Sequence, residues 1–122
     1  MKILIVDDSA VVRTVVTQAL GMAGYTDLAE AVDGVSALEM AQAPGAAFGL
    51  YILDVNMPRM DGITLVAELR KLDPRSPIIM LTTETDKAKM TLAKELGATG
   101  WIVKPFDAEK FIGVVKLFVK KE

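Results

Sequence analysis

What most constrains this chain is a rhythm. Short runs of apolar, β-branched residues alternate with longer stretches of helical periodicity, five times over 122 residues. The runs predict strands over 2–6, 27–32, 49–53, 77–81 and 99–103. The intervening periodicities predict helices over 10–23, 34–42, 62–72, 86–96 and 108–120, with Ser9, Asp33, Asp61 and Asp107 placed as N-caps. Five βα units in succession require a parallel sheet, because each strand must cross back over a helix before pairing, and such a sheet is covered on both faces. A chain of this length supports one core, so a single domain over 1–122 is expected.

The strands differ in a way that suggests their order. Residues 3–6, 51–53 and 78–81 are continuously apolar, as strands covered on both sides must be, whereas 27–32 includes Asp27 and Glu30 and reads as an edge. With the first and third strands central and the fifth closing the far side, the order is 2-1-3-4-5. This is the doubly wound, flavodoxin-like (βα)5 α/β sheet, in which ligands bind beyond the carboxyl ends of the strands.

The absence of Cys and His narrows the chemistry. It excludes disulfides, thiolate nucleophiles, Ser-His-Asp relays and zinc, copper or haem sites rich in nitrogen or sulfur. Any bound metal should be a hard cation held by oxygen. A net charge of −2 with scattered basic residues argues against direct nucleic-acid binding. The longest uncharged window, 40–53, is interrupted by Pro44, Gly45 and Gly49 and is too short to insert in a membrane. The first six residues reach Asp7 too soon for a signal peptide, so a cytoplasmic location is expected.

The predicted strand ends deliver a specific set of groups to one rim: Asp7 and Asp8 after the first, Asp54 after the third, Thr82 and Thr83 after the fourth, Lys104-Pro105 after the fifth. Taken singly, each has an ordinary reading as a cap, a turn residue or a surface charge. Together they carry weight, because alternate strands supply complementary groups at the same end. Clustered carboxylates repel and are intelligible with a cation present. Mg²⁺ suits them, with Mn²⁺ as the alternative, because it accepts a few carboxylates and adds phosphate oxygens. The Thr82 hydroxyl and the Lys104 ammonium would then face a phosphoryl group beside that metal.

Val6-Asp7-Asp8-Ser9, Asp54-Val55-Asn56-Met57-Pro58-Arg59-Met60-Asp61-Gly62, Thr82-Thr83 and Val103-Lys104-Pro105-Phe106 together resemble the receiver domain of two-component response regulators over essentially the whole chain. The resemblance implies that Asp54 is the phosphoacceptor. It implies that Asp7, Asp8, Asp54 and the backbone carbonyl of Asn56 hold Mg²⁺, that Thr82 and Lys104 contact the phosphoryl oxygens, and that the Lys104-Pro105 peptide is cis. It further implies a switching aromatic at Trp101, moved when Thr82 is drawn inward. With no His, the chain needs a sensor histidine kinase or phosphotransfer protein as donor. Asn56 and Glu84, two residues beyond Asp54 and Thr82, are placed to flank a hydrolytic water and tune dephosphorylation, giving a transient signal.

The fourth helix shows a thin apolar stripe, Ala88, Leu92 and Leu96, with Met90 at its edge near Lys94. The last helix has an apolar arc broad enough to leave Val114 and Leu117 beyond the core. With Trp101 and Val103 these residues predict a docking patch for a downstream target across the fourth helix, fifth strand and fifth helix. A monomer is expected, with dimerisation on phosphorylation open. Ending directly after the fifth helix, the chain resembles the stand-alone receivers of chemotaxis; an excised receiver of a multidomain transcriptional regulator would look the same. A haloacid-dehalogenase-like phosphatase, also an Asp and Mg²⁺ enzyme, would need a second Asp where Asn56 stands. A flavin module would need a glycine-rich phosphate loop in place of Asp7 and Asp8.

Overall fold

The computed structural model describes residues 1–119. Strands β1 (Lys2–Val6), β2 (Leu28–Ala31), β3 (Phe48–Leu53), β4 (Ile78–Thr82) and β5 (Gly100–Val103) alternate with helices α1 (Ala10–Met22), α2 (Gly34–Gln42), α3 (Gly62–Leu72), α4 (Lys87–Leu96) and α5 (Ala108–Phe118). All strand pairings are parallel and the order is β2-β1-β3-β4-β5, as the distribution of apolar runs predicts. Element ends move by one or two residues at most. Thr82 is the last residue of β4 rather than the first of a loop, paired in register with Val103. The predicted last turn of α5 reaches Lys120, which lies outside the described residues.

Alternation along each central strand builds a core of two layers, one on each face of the sheet. Ile3, Ile5, Leu50, Ile52, Ile79 and Leu81 face Val16, Leu20, Phe111 and Val115 of α1 and α5. Leu4, Val6, Leu53, Ile78 and Met80 face Ala37, Leu65, Val66, Leu69 and Ala93 of α2, α3 and α4. Successive side chains of a strand point to opposite faces, so one continuously apolar run serves both layers. Full burial of each such side chain stabilises the fold by about 1.5–3 kcal/mol relative to exposure.

Each helix begins at the carboxyl rim with a side-chain cap. Ser9 accepts from the Val12 N–H, Asp33 from Ser36, Asp61 from Ile63 and Thr64, Asp86 from Ala88, and Asp107 from Glu109. These acceptors satisfy the orphan first-turn donors and fix where each loop ends. At the far end of α5, the buried Tyr25 hydroxyl donates to the Val119 carbonyl at 2.9 Å.

Of the predicted α4 stripe only Leu96 packs, half-buried, against the core. The buried residue of α4 is Ala93, while Ala88 is exposed and Leu92 is 46% exposed. The helix is seated through a small side chain near its C-terminal end. There the Arg70 guanidinium of α3 donates to the Gly97 carbonyl at 2.8 and 3.1 Å. Close approach selects Ala93 over the larger Leu92, which pattern reading cannot anticipate.

Candidate functional site

Asp7 and Asp54 come together because β1 and β3 are paired in register. Val6 lies opposite Leu53, the Asp54 N–H donates to the Val6 carbonyl at 3.0 Å, and the next residue of each chain projects from the rim. Asp7 and Asp54 are buried and Asp8 is exposed, and each offers a carboxylate oxygen within 4.8 Å of the others. At that separation a carboxylate pair repels by on the order of 3 kcal/mol in an environment of effective dielectric near 20.

Lys104 supplies partial compensation from β5. Its Nζ donates to Asp7 Oδ2 at 2.7 Å and lies 3.4 Å from Asp54 Oδ2, and the Lys104-Pro105 peptide is cis. Against one ammonium, three carboxylates leave the pocket with a formal excess of two negative charges. Burial pushes the Asp7 carboxyl above its ordinary value, with Asp54 adding to the rise and the Lys104 and Ser9 N–H donors opposing it. A set of oxygen donors with uncompensated charge fits a hard divalent cation.

The surrounding loops are held in place. Arg13 donates to the Asp7 carbonyl at 2.6 Å and to Glu30 at 3.0 Å, tying the end of β1 to β2. The Gly62 N–H closes the loop after β3 by donating to the Val55 carbonyl at 2.8 Å. Asn56 is exposed in that loop. The fully buried Thr82 hydroxyl accepts from the Glu84 N–H at 3.2 Å and more loosely from the Val55 N–H at 3.4 Å.

Glu84 differs in placement from the other site residues. Its carboxylate accepts from the Thr85 and Asp86 N–H groups and from Lys89 Nζ at 2.9 Å, and the Lys89 contact holds it below its ordinary pKa. The side chain is thus engaged with the first turn of α4 and is not among the clustered carboxylates. The Glu84 backbone, by contrast, bridges two site residues: its N–H reaches Thr82, and its carbonyl accepts the half-buried Trp101 indole N–H at 3.2 Å. Sequence reasoning found Thr82 and Trp101 separately and missed this main-chain link, which has no residue signature.

The predicted outer patch divides in two. Met90, Lys94 and Trp101 line one hollow of about 310 Å³ between α4 and β5. Val103 and Val114 line a second, of about 290 Å³, between β5 and α5. Val114 is half-buried against the core, whereas Leu117 is 79% exposed. The arc of α5 therefore extends further into the core than expected, because α5 packs over both β5 and α1.

Asp33 and Arg59, at the edge of the site, form a forked ion pair with Nε–Oδ2 at 2.7 Å and Nη2–Oδ1 at 3.1 Å. The Arg59 guanidinium, with the Ser36 N–H, lowers the Asp33 carboxyl from 3.8 to about 2. A depressed folded-state pKa contributes stability above the unfolded value that is lost as pH falls through the folded one. Asp7, raised by burial, contributes with the opposite sign. Arg59→Ala should therefore lower Tm more at pH 5 than at pH 2 in metal-free buffer, with the gap between variant and parent shrinking across that window. A gap independent of pH would rule the pair out as its source.

Residues 3–116 match the response regulator receiver domain family. The chemotaxis protein CheY1 of Helicobacter pylori is 44% identical over 109 residues, covering 87% of this chain and 86% of that protein. The fold superimposes on Vibrio cholerae chemotaxis protein CheY4 with a TM-score of 0.87 at 42% identity, covering 97% of this chain and 98% of that one. It also superimposes on CheY in the CheX-CheY-BeF3-Mg²⁺ complex of Borrelia burgdorferi with a TM-score of 0.91 at 30% identity, covering 98% and 90%. Sheet order, rim position and a match spanning nearly the whole chain agree, and the chain belongs to the response regulator receiver domains, among relatives that are chemotaxis proteins of the CheY type.

Proposed function

We propose that Asp54 is the phosphoacceptor of a phosphorylation-activated chemotaxis switch, a protein that is modified rather than an enzyme that turns over a substrate. An Asp54 carboxylate oxygen attacks phosphorus carried by the imidazole of a histidine kinase or phosphotransfer protein. The P–O bond forms as the P–N bond breaks, and the electron pair leaves with the imidazole nitrogen. Asp7, Asp8, Asp54 and the Asn56 carbonyl would hold Mg²⁺, or Mn²⁺ in its place; when bound, the cation supplies charge neutralisation for the phosphoryl oxygens. Lys104 stabilises charge on an equatorial oxygen, and the rigid rim holds nucleophile and phosphorus in line. Water later attacks the acyl phosphate, its P–O bond to Asp54 breaks, and carboxylate and inorganic phosphate are released.

The observation that carries this reading is the convergence of three carboxylates within 4.8 Å, with Lys104 Nζ 2.7 Å from Asp7 and 3.4 Å from Asp54. It is tested by intact mass: acetyl phosphate should add one phosphoryl group with Mg²⁺ present and none with Mg²⁺ chelated.

Output follows from Thr82. Its hydroxyl accepts from the Glu84 N–H, and turning it to donate to a phosphoryl oxygen would release that N–H and with it the Glu84 carbonyl bonded to Trp101. Trp101, Met90, Lys94, Val103 and Val114 form the face offered to a target. The relative crystallised with CheX, BeF3 and Mg²⁺ supports the idea that a receiver of this shape takes a protein partner. Asn56, at the exposed end of the pocket loop, and Glu84, once freed from Lys89, tune the lifetime of the acyl phosphate.

Lys104 also gives a prediction with opposite effects on two measurements. Its ammonium competes for Asp7 and Asp54 oxygens, so Lys104→Met should tighten Mg²⁺ binding by about tenfold. The same change should slow phosphorylation by roughly 10²-fold, through loss of a charge at the reacting oxygens. Calorimetric titration and rate measurement on one sample check both; weaker Mg²⁺ binding would overturn the competition argument.

A further inference from the structure

The loop after β3 presents a positional problem. It carries Asn56, whose carbonyl is assigned above to the cation, yet Asn56, Pro58 and Arg59 are all exposed. A carbonyl serves as a ligand for a small, geometrically demanding cation only if its position is fixed in advance. Two short bonds close the loop on itself, Gly62 N–H to Val55 O and Met60 N–H to Pro58 O, each 2.8 Å. Neither ties its apex to the rest of the fold.

Met57 and Met60 pack against the core on either side of that apex, and Arg59 supplies its polar tie. It has φ +68, a left-handed conformation that a non-glycine residue keeps where its surroundings dictate it. From there its guanidinium forks onto Asp33 and adds a bond from Nη2 to Ser36 Oγ at 3.0 Å. Asp33 is a rigid anchor, being 5% exposed and held as the N-cap of α2 through the Ser36 N–H at 2.8 Å. Backbone shape supports the docking. A Cβ on Gly34, the first residue of α2, would meet the Met60 carbonyl at 2.5 Å and Met60 Cβ at 2.7 Å, so the loop lies directly against the start of that helix.

We propose that the Asp33–Arg59 pair is a positioning clamp for the divalent-cation pocket, holding the loop after β3 against the first turn of α2 so that the Asn56 carbonyl is set for Mg²⁺. The proposal rests on the cation assignment made above. A partly exposed ion pair that merely stabilises the fold would change Tm and leave Mg²⁺ affinity alone. Electrostatics alone points the other way, since removing the Arg59 charge favours a cation nearby. A loss of Mg²⁺ affinity would therefore report position and not field.

The decisive variant is Arg59→Gly, because glycine takes positive φ without steric strain while the fork is lost. Removing partners that orient metal ligands weakens metals by about 10–100-fold. Acting through three residues of backbone, this clamp should be worth about three- to tenfold in the Mg²⁺ dissociation constant measured by calorimetry. Arg59→Lys keeps the charge without the fork and should fall between parent and glycine variant. Asp33→Asn keeps an acceptor for the Ser36 N–H, and combined with Arg59→Gly it should add no further loss. The Mg²⁺ concentration giving half-maximal phosphorylation by acetyl phosphate should rise in step, with the rate at saturating Mg²⁺ within about twofold of the parent.

A dissociation constant for Arg59→Gly less than about threefold above the parent's, whatever its Tm, overturns the clamp. Failure of the parent itself to bind Mg²⁺ overturns the cation assignment beneath it, a result distinct from loss in the variant alone.

Discussion

Asp54→Asn should take up no phosphoryl group from acetyl phosphate and Mg²⁺ under conditions that modify the parent to completion, a fall in rate on the order of 10³-fold or more. The amide is nearly isosteric, so the side chain still fits where Asp54 sits, 7% exposed beside Val55 and Lys104. It lacks a carboxylate lone pair competent to form an acyl phosphate. The variant should also be more thermostable than the parent in metal-free buffer, because it removes one of three carboxylates within 4.8 Å of one another. At about 3 kcal/mol of repulsion per pair before solvent screening, a gain of about 1 kcal/mol is expected. Added Mg²⁺ should narrow that gap, since the parent binds it better. Intact mass and thermal unfolding read these results, and equal modification of both proteins would remove Asp54 from its role.

The second large effect is structural. Gly62→Ala should destabilise the protein by about 3 kcal/mol, on the order of 10 °C in Tm. A Cβ on Gly62 would overlap the Asp54 backbone carbonyl and press on Val55 Cα at 3.0 Å. The atoms in the way are main chain of the strand end that carries Asp54, the proposed phosphoacceptor, so relief requires moving that residue itself. The variant should lose phosphorylation rate together with stability. Gly113 of α5 is the natural control: a Cβ there meets nothing within 4 Å, and Gly113→Ala should stabilise by about 0.5–1 kcal/mol. Denaturant titration of the pair checks the contrast, and equal midpoints would show that the loop can yield.

Much of the site was legible because it is written in strand ends. Asp7, Asp54, Thr82 and Lys104 each terminate or directly follow a strand, and parallel strands in one sheet place such positions on one rim. Register then brings Lys104 within hydrogen-bonding distance of Asp7 and Asp54, while the Thr82 hydroxyl bonds to the Val55 and Glu84 N–H groups beside them. The Asp33–Arg59 fork joins residues 26 apart through a left-handed backbone angle, and no sequence pattern marks that. The link from Thr82 through Glu84 to Trp101 runs through main-chain atoms, which every residue possesses and none advertises. The stripe on α4 was misplaced for a related reason. Periodicity identifies the more apolar side of a helix, but the closest approach falls at Ala93, and hydropathy does not rank it above Leu92.

Residue order alone was enough for the alternation of five strands and helices, the strand order, four of the five helix caps, the excluded chemistries and the identity of the rim groups, whereas Asp86, read as the first residue of α4, is its cap. Each of these depends on local periodicity, on burial of whole runs, or on which atoms the side chains possess. Tertiary structure alone decided how the pocket is held: which backbone lies against Gly34 and Gly62, where Arg59 finds its anchor, and which side of α4 meets α3. Those outcomes are set by distances of a few tenths of an ångström between segments remote in the chain, and such distances exist only once both layers of the core are packed.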